Sequence, residues 1–137
     1  MLAGGPEGIC IAMDNSLLVS LSHQLAAYRS MDVIANNIAN AQSAGSLDPN
    51  SPDQPYRAQT TVQTANGDGG GVSAYNINKT PGIVNAYAPD SPFANAQGEI
   101  GVPDVDLGSD IVNLKIAEIT YKANISVLKT ASEMSDS

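Results

Sequence analysis

The chain has 137 residues, a mass of 14.1 kDa and a net charge of −8, from 14 acidic and 6 basic residues. That length fits one domain, or one short domain carried on long elements. The acidic balance argues against nucleic acid and against an anionic membrane surface, which both call for clustered Lys and Arg, and the single cysteine, Cys10, excludes an intrachain disulfide or a thiolate metal cluster.

Hydrophobic residues make up 42% of the chain, but 18 of those 58 are Ala and only 30 are Val, Ile, Leu or Phe. There is no Trp and one Phe, so a deep core of large side chains is not expected, and burial should be completed against other chains. The first basic residue is Arg29 and no long apolar run follows, which argues against a cleaved signal peptide and a transmembrane helix.

Glycine and proline divide the chain. All 12 Gly and 8 Pro fall in the first eight residues or between Gly45 and Gly108, and these residues break regular structure most strongly. The expected order is a disordered leader (1–13), a helix (14–43), a small β or loop insert (44–108) and a second helix (109–137). The fold class is α+β, with the terminal helices packed as a coiled-coil-like pair.

In the first helix Asp14, Asn15 and Ser16 are plausible N-caps, and Gly45 sits where a C-terminal cap is expected. Leu17, Leu21, Tyr28, Met31, Ala35 and Ile38 share a face that Leu18, Leu25 and Ile34 widen, while Gln24 and Asp32 interrupt it. In the insert, Tyr56–Thr64 and Val72–Asn78 read as strands joined by the turn NGDGGG, with a third strand at Gly82–Tyr87. Ser109 is placed to cap the second helix. There Ile111, Leu114, Tyr121, Ile125 and Leu128 follow a 3–4 spacing broken by Glu118. Val112, Ile116, Ile119, Ala123, Val127 and Met134 form a second apolar face, and Lys115, Lys122 and Lys129 recur every seven residues. A helix apolar on two sides touches two partners. Each helix would be about 45 Å long, and the surplus apolar faces need neighbours.

No set of residues for catalysis assembles. His23 is the only histidine and lies among leucines, so the usual triad and zinc patterns cannot form. Cys10 has no nearby positive charge to activate it. Asp104, Asp106 and Asp110 alternate as Ca²⁺ ligands can, but Lys115 stands where an EF-hand needs its bidentate Glu. NGDGGG lacks the lysine of a phosphate loop. No cofactor, metal or small-molecule substrate is expected. Asn36, Asn37 and Asn40 crowd the end of the first helix, either as a fraying turn or as a polar seam that sets helix register.

That segment carries a resemblance. SHQLAAYRSMDVIANNIANAQSAG (Ser22–Gly45) resembles the N-terminal signature of the bacterial flagellar rod and hook family, whose first helix ends in an NxxN pattern matched by Asn37 and Asn40. VDLGSDIVNLKIAEITYKANISVLKTASEM (Val105–Met134) resembles the family's C-terminal helix, with Tyr121, Ala123 and Asn124 on its Tyr-x-Ala-Asn core. PYRAQTTV and YAPDSPFANAQGEIGVPDVD resemble the family's proximal rod members, and the short insert suits these better than the hook protein. Thr120 stands where the family often has Arg, and Met1–Ala12 falls outside the likeness, which makes Met13 an alternative start.

The resemblance implies a structural subunit exported without a cleaved signal peptide, which assembles in the periplasm with other rod subunits, the membrane-embedded basal ring and its export gate into a helical tube that carries torque to the hook. The expected assembly interface is Leu21, Leu25, Tyr28, Met31, Ile34, Asn36, Asn37, Ile38, Asn40, Ile111, Leu114, Ile119, Tyr121, Asn124, Ile125 and Leu128. From the residues alone, a soluble adaptor gripping one partner with amphipathic helices also fits; within the resemblance, the alternative is a different rod member, proximal or distal.

Overall fold

The computed structural model describes residues 6–137, with side chains from Asn15 onward. Two long helices, α1 (Pro6–Ala39) and α2 (Leu107–Asp136), flank four strands: β1 (Gln59–Ala65), β2 (Val72–Asn78), β3 (Ile83–Tyr87) and β4 (Glu99–Pro103). The class is α+β, as expected. Among the described residues no helix is long and apolar enough to cross a membrane.

Helix α1 starts eight residues before the expected Asp14, so residues 6–13, read as part of a disordered leader, are helical; residues 1–5 lie outside the described residues. Pro6 suits the first helical position, where a backbone N–H would have no intrahelical partner, and Gly8 inside the helix costs only about 1 kcal/mol. The helix also stops before the expected Ser43. The Asn36 and Asn40 side chains donate to the carbonyls of Asp32 (2.9 Å) and Asn36 (2.8 Å), four residues back. Such bonds compete with the backbone ladder. The Ala41 and Ser43 N–H groups then bond carbonyls only three residues back, at 3.2 and 3.0 Å, and the chain turns away.

Gly45 is not the helix cap. It exchanges both backbone hydrogen bonds with Gly101 of β4, each 2.9 Å. A Cβ on Gly45 would overlap the Pro55 backbone, and one on Gly101 would stand 2.8 Å from Pro55 Cγ. Close chain approach, not helix termination, is what this glycine provides. The cap of α2 also differs: Asp106, rather than Ser109, is the N-cap, and its Oδ1 accepts from the Ser109 N–H at 3.1 Å.

β1 and β2 pair antiparallel, from Gln59 opposite Asn78 to Ala65 opposite Val72. Their loop places Asp68, Gly69 and Gly71 at positive φ, and Asn66 closes it by donating its N–H to the Gly71 carbonyl and its side-chain amide to that of Gly70. β3 pairs antiparallel with β4 in a separate two-stranded sheet. The sequence offers little sign of β4, because EIGVP contains two breakers; here Gly101 permits close approach and Pro103 closes the strand. The two sheets are knit at Gly82, whose carbonyl accepts from the Ala58 and Asp104 N–H groups, both at 3.0 Å.

The helices run antiparallel. Leu17 lies against Leu128, Gln24 against Tyr121, and Ile34 near Asp110 and Asn113. The β1–β2 hairpin lies along another side of α1: Ser22 Oγ accepts from the Val72 N–H (3.1 Å), Arg29 Nη1 donates to the Ala74 carbonyl (3.0 Å), and Asn37 holds Gln59. Among the described residues, the buried aliphatic side chains are Ala26 and Val33 on α1, with Ala58 and Ile100 in the insert. Among the described residues no large side chain is fully buried, so the core is as thin as the composition predicts.

Candidate assembly surface

Helix α1 carries three rows of side chains at 3–4 spacing, and each meets a different environment. Leu17, Gln24, Met31 and Ile34 turn toward α2 and are buried or half-buried. Val19, Ser22, Ala26, Val33 and Asn37 lie along the hairpin side. Leu18, Leu21, Leu25, Tyr28, Asp32 and Ala35 are all exposed, with Leu18 at 66% and Leu25 at 61%. On α2 the half-buried residues are Asp110, Leu114, Ala117, Glu118, Tyr121, Asn124, Leu128 and Ala131. All but Glu118 repeat at alternating four- and three-residue steps, which keeps them on one helix side. Leu114, Tyr121 and Leu128 are the large members of that row, and the Tyr28 and Tyr121 rings meet at 6.4 Å between centroids.

The exposed row of α1 borders two shallow grooves between the helices. One, of about 430 Å³, is lined by Leu17, Leu18, Leu21 and Leu128. The other, of about 290 Å³, is lined by Tyr28, Met31, Asp32, Ala35, Leu114 and Glu118. On the α2 side Glu118 lines the second groove, and exposed Ile111 and Ile125 stand seven residues either side of it on the same helix row. Glu118 pairs with Lys122 at 2.8 Å and Lys115 at 3.7 Å. The Lys122 hydrogen bond, then the charges of Lys115 and Lys122, hold the Glu118 carboxyl below its usual range.

The expected interface residues thus separate by place. Leu21, Leu25, Tyr28, Ile111, Ile119 and Ile125 are exposed; Met31, Ile34, Ile38, Leu114, Tyr121, Asn124 and Leu128 are half-buried. Ile119 lies farther round α2, away from α1, beside exposed Val112 and Ile116. Asn36 and Asn40 bond the backbone of their own helix.

Asn37, 4% exposed, forms an internal latch. Its Nδ2 donates to the Gln59 carbonyl (2.7 Å), while its Oδ1 accepts from the Gln59 N–H (3.1 Å) and the Tyr56 hydroxyl (3.0 Å). The amide stands in for a neighbouring strand at the start of β1. Burial pushes the Tyr56 phenol above its usual value, and the Asp32 carboxylate adds to that. Sequence reasoning missed that role, since the partner is 22 residues away. It also took Gln24 as an interruption. Gln24 is 6% exposed; its Nε2 donates to the Tyr121 carbonyl (3.3 Å), and its Oε1 is buried without a partner.

Two paired helices, one side covered by a hairpin and the other left apolar and open, define a structural subunit of a larger assembly. No family model matches the chain. It is, however, 33% identical over 131 residues to the flagellar basal-body rod protein FlgC of Escherichia coli, covering 90% of this chain and 93% of that one. It is 34% identical over 129 residues to FlgC of Salmonella typhimurium, with the same coverage. To FlgC of Bacillus subtilis it is 28% identical over 137 residues, covering 88% and 91%. The chain belongs to the flagellar basal-body rod protein FlgC family and is a structural subunit of the basal-body rod.

Proposed function

We propose that the chain assembles with other rod subunits, copies of itself included, into a helical tube that crosses the periplasm and transmits torque from the motor to the hook. It reaches that place without a cleaved signal peptide, through an export gate in the basal ring. Its domains are two axial helices and the insert between Ala39 and Leu107. The helices pair in coiled-coil fashion along Leu17, Met31 and Ile34 on α1 and Leu114, Tyr121 and Leu128 on α2. They offer neighbours Leu21, Leu25 and Tyr28 with Ile111 and Ile125 on the groove side, and Ile119 on a second surface farther round α2. Contacts between unlike surfaces that do not close into a ring build a filament.

The observation that carries this reading is the unbroken exposed row Leu18, Leu21, Leu25 and Tyr28 on the side of α1 away from the hairpin. Large apolar patches on a soluble chain mark interaction sites. The test is complementation of a strain lacking its own copy. The double variant Leu21→Asp, Leu25→Asp is expected to be made at normal level and to leave cells non-motile, because both positions are exposed and little folding energy depends on them. Normal swimming with the double variant excludes this face as the interface.

A further inference from the structure

Three of the six basic residues, Lys115, Lys122 and Lys129, stand seven residues apart on α2. Seven residues are about two helical turns, so they form one row. The row follows Leu114, Tyr121 and Leu128 by one residue and lies next to Ile111, Glu118 and Ile125. It therefore borders the groove lined by Tyr28, Met31, Asp32, Ala35, Leu114 and Glu118, whose α1 wall continues the exposed row of Leu18, Leu21 and Leu25. Elsewhere the chain is acidic: outside residues 112–131 it has 13 acidic and 3 basic residues. Glu118 pairs with Lys115 and Lys122, whose side chains are nonetheless 68% and 71% exposed, and Lys129 has no ion pair among the described residues.

We infer that this groove receives an amphipathic helix from a neighbouring subunit whose polar flank carries acidic residues at seven-residue spacing, set against the lysine row. The inference rests on the rod-subunit reading and adds the chemistry of the partner. An apolar groove alone accepts a helix in several registers; charges at heptad spacing along its rim select one and reject others. Asp32, exposed on the opposite wall, repels an acidic flank there. The two walls together fix which side of the incoming helix faces α2.

The experiment uses the full chain and two synthetic three-heptad peptides with the same leucine stripe. One carries Glu at every seventh flank position and the other carries Lys there. Binding is read by fluorescence anisotropy at low and at raised salt. The Glu peptide is expected to bind about tenfold more tightly, since exposed ion pairs are individually weak but three act together. Raised salt and the triple variant Lys115→Gln, Lys122→Gln, Lys129→Gln should each remove that preference, with the variant's helix content unchanged by circular dichroism. Equal binding of the two peptides, no binding by either, or a preference that survives in the triple variant overturns the inference. If the preference is absent while Leu21→Asp, Leu25→Asp still abolishes motility, only the charge rule fails. If that double variant also swims, the interface reading fails with it.

Discussion

Two buried amides on α1 show how little the residue type reveals of its use. Asn37 satisfies three hydrogen bonds, two of them with the backbone of Gln59. Asn37→Ala leaves that backbone unpaired and should cost about 2–3 kcal/mol in chemical denaturation, as a buried unsatisfied group does. Amide exchange in β1 should quicken far more than in α2. Uniform loss across both elements would contradict the latch. Gln24 is the opposite case. Its Oε1 is buried without a partner, so Gln24→Met, of similar length, should raise stability by about 1 kcal/mol; a lowered melting temperature would show that the single bond to Tyr121 outweighs the stranded oxygen. Neither role was readable beforehand, because each depends on a backbone group far along the chain. The sequence marked Asn37 through helix propensity and through the NxxN pattern, and neither points to Gln59.

Elements were legible where periodicity is long. Both helices, the hairpin and β2 at Val72–Asn78 follow from spacing and from the Asn-Gly-rich turn. Boundaries were less legible: α1 begins at Pro6, and α2 is capped by Asp106. β4 was missed because Gly101 serves the close approach of Pro55 and Pro103 ends the strand, where in sequence both read as breakers. Along α2 the Lys115–Glu118–Lys122 cluster predicts a pH response. The folded Glu118 carboxyl is held low, so its contribution is present above the unfolded value, about 4.3, and is lost as pH falls through the lower folded value. The melting temperatures of wild type and Glu118→Gln should therefore differ at neutral pH and converge in acid. The difference should be small, since the carboxyl is open to solvent and both lysine partners are exposed. Tyr56 acts at the other end of the scale: its raised phenol is neutral and stabilising below about pH 10, and that contribution fades as pH rises through the folded value. Tyr56→Phe should flatten the alkaline loss of stability.

The whole molecule has too much surface for its mass. It exposes 9013 Å², whereas a compact monomer of 14.1 kDa exposes about 6,700 Å². The excess exceeds the roughly 1,600 Å² buried in an ordinary protein–protein interface. A thin core, two 30-residue-class helices and one open apolar side are consistent parts of a chain that finishes burial in an assembly. The thin core and the need for neighbours were visible in composition alone; which side of α1 stays open was not, since it depends on where the hairpin lies. The most direct measurement is the content of purified basal bodies from cells carrying either the wild-type chain or Leu21→Asp, Leu25→Asp, compared by quantitative mass spectrometry. The wild-type chain should be present in the rod fraction, with the variant made in the cell but absent from that fraction. Equal amounts of both chains in the rod would contradict the assignment of the open helix side as the surface that builds it.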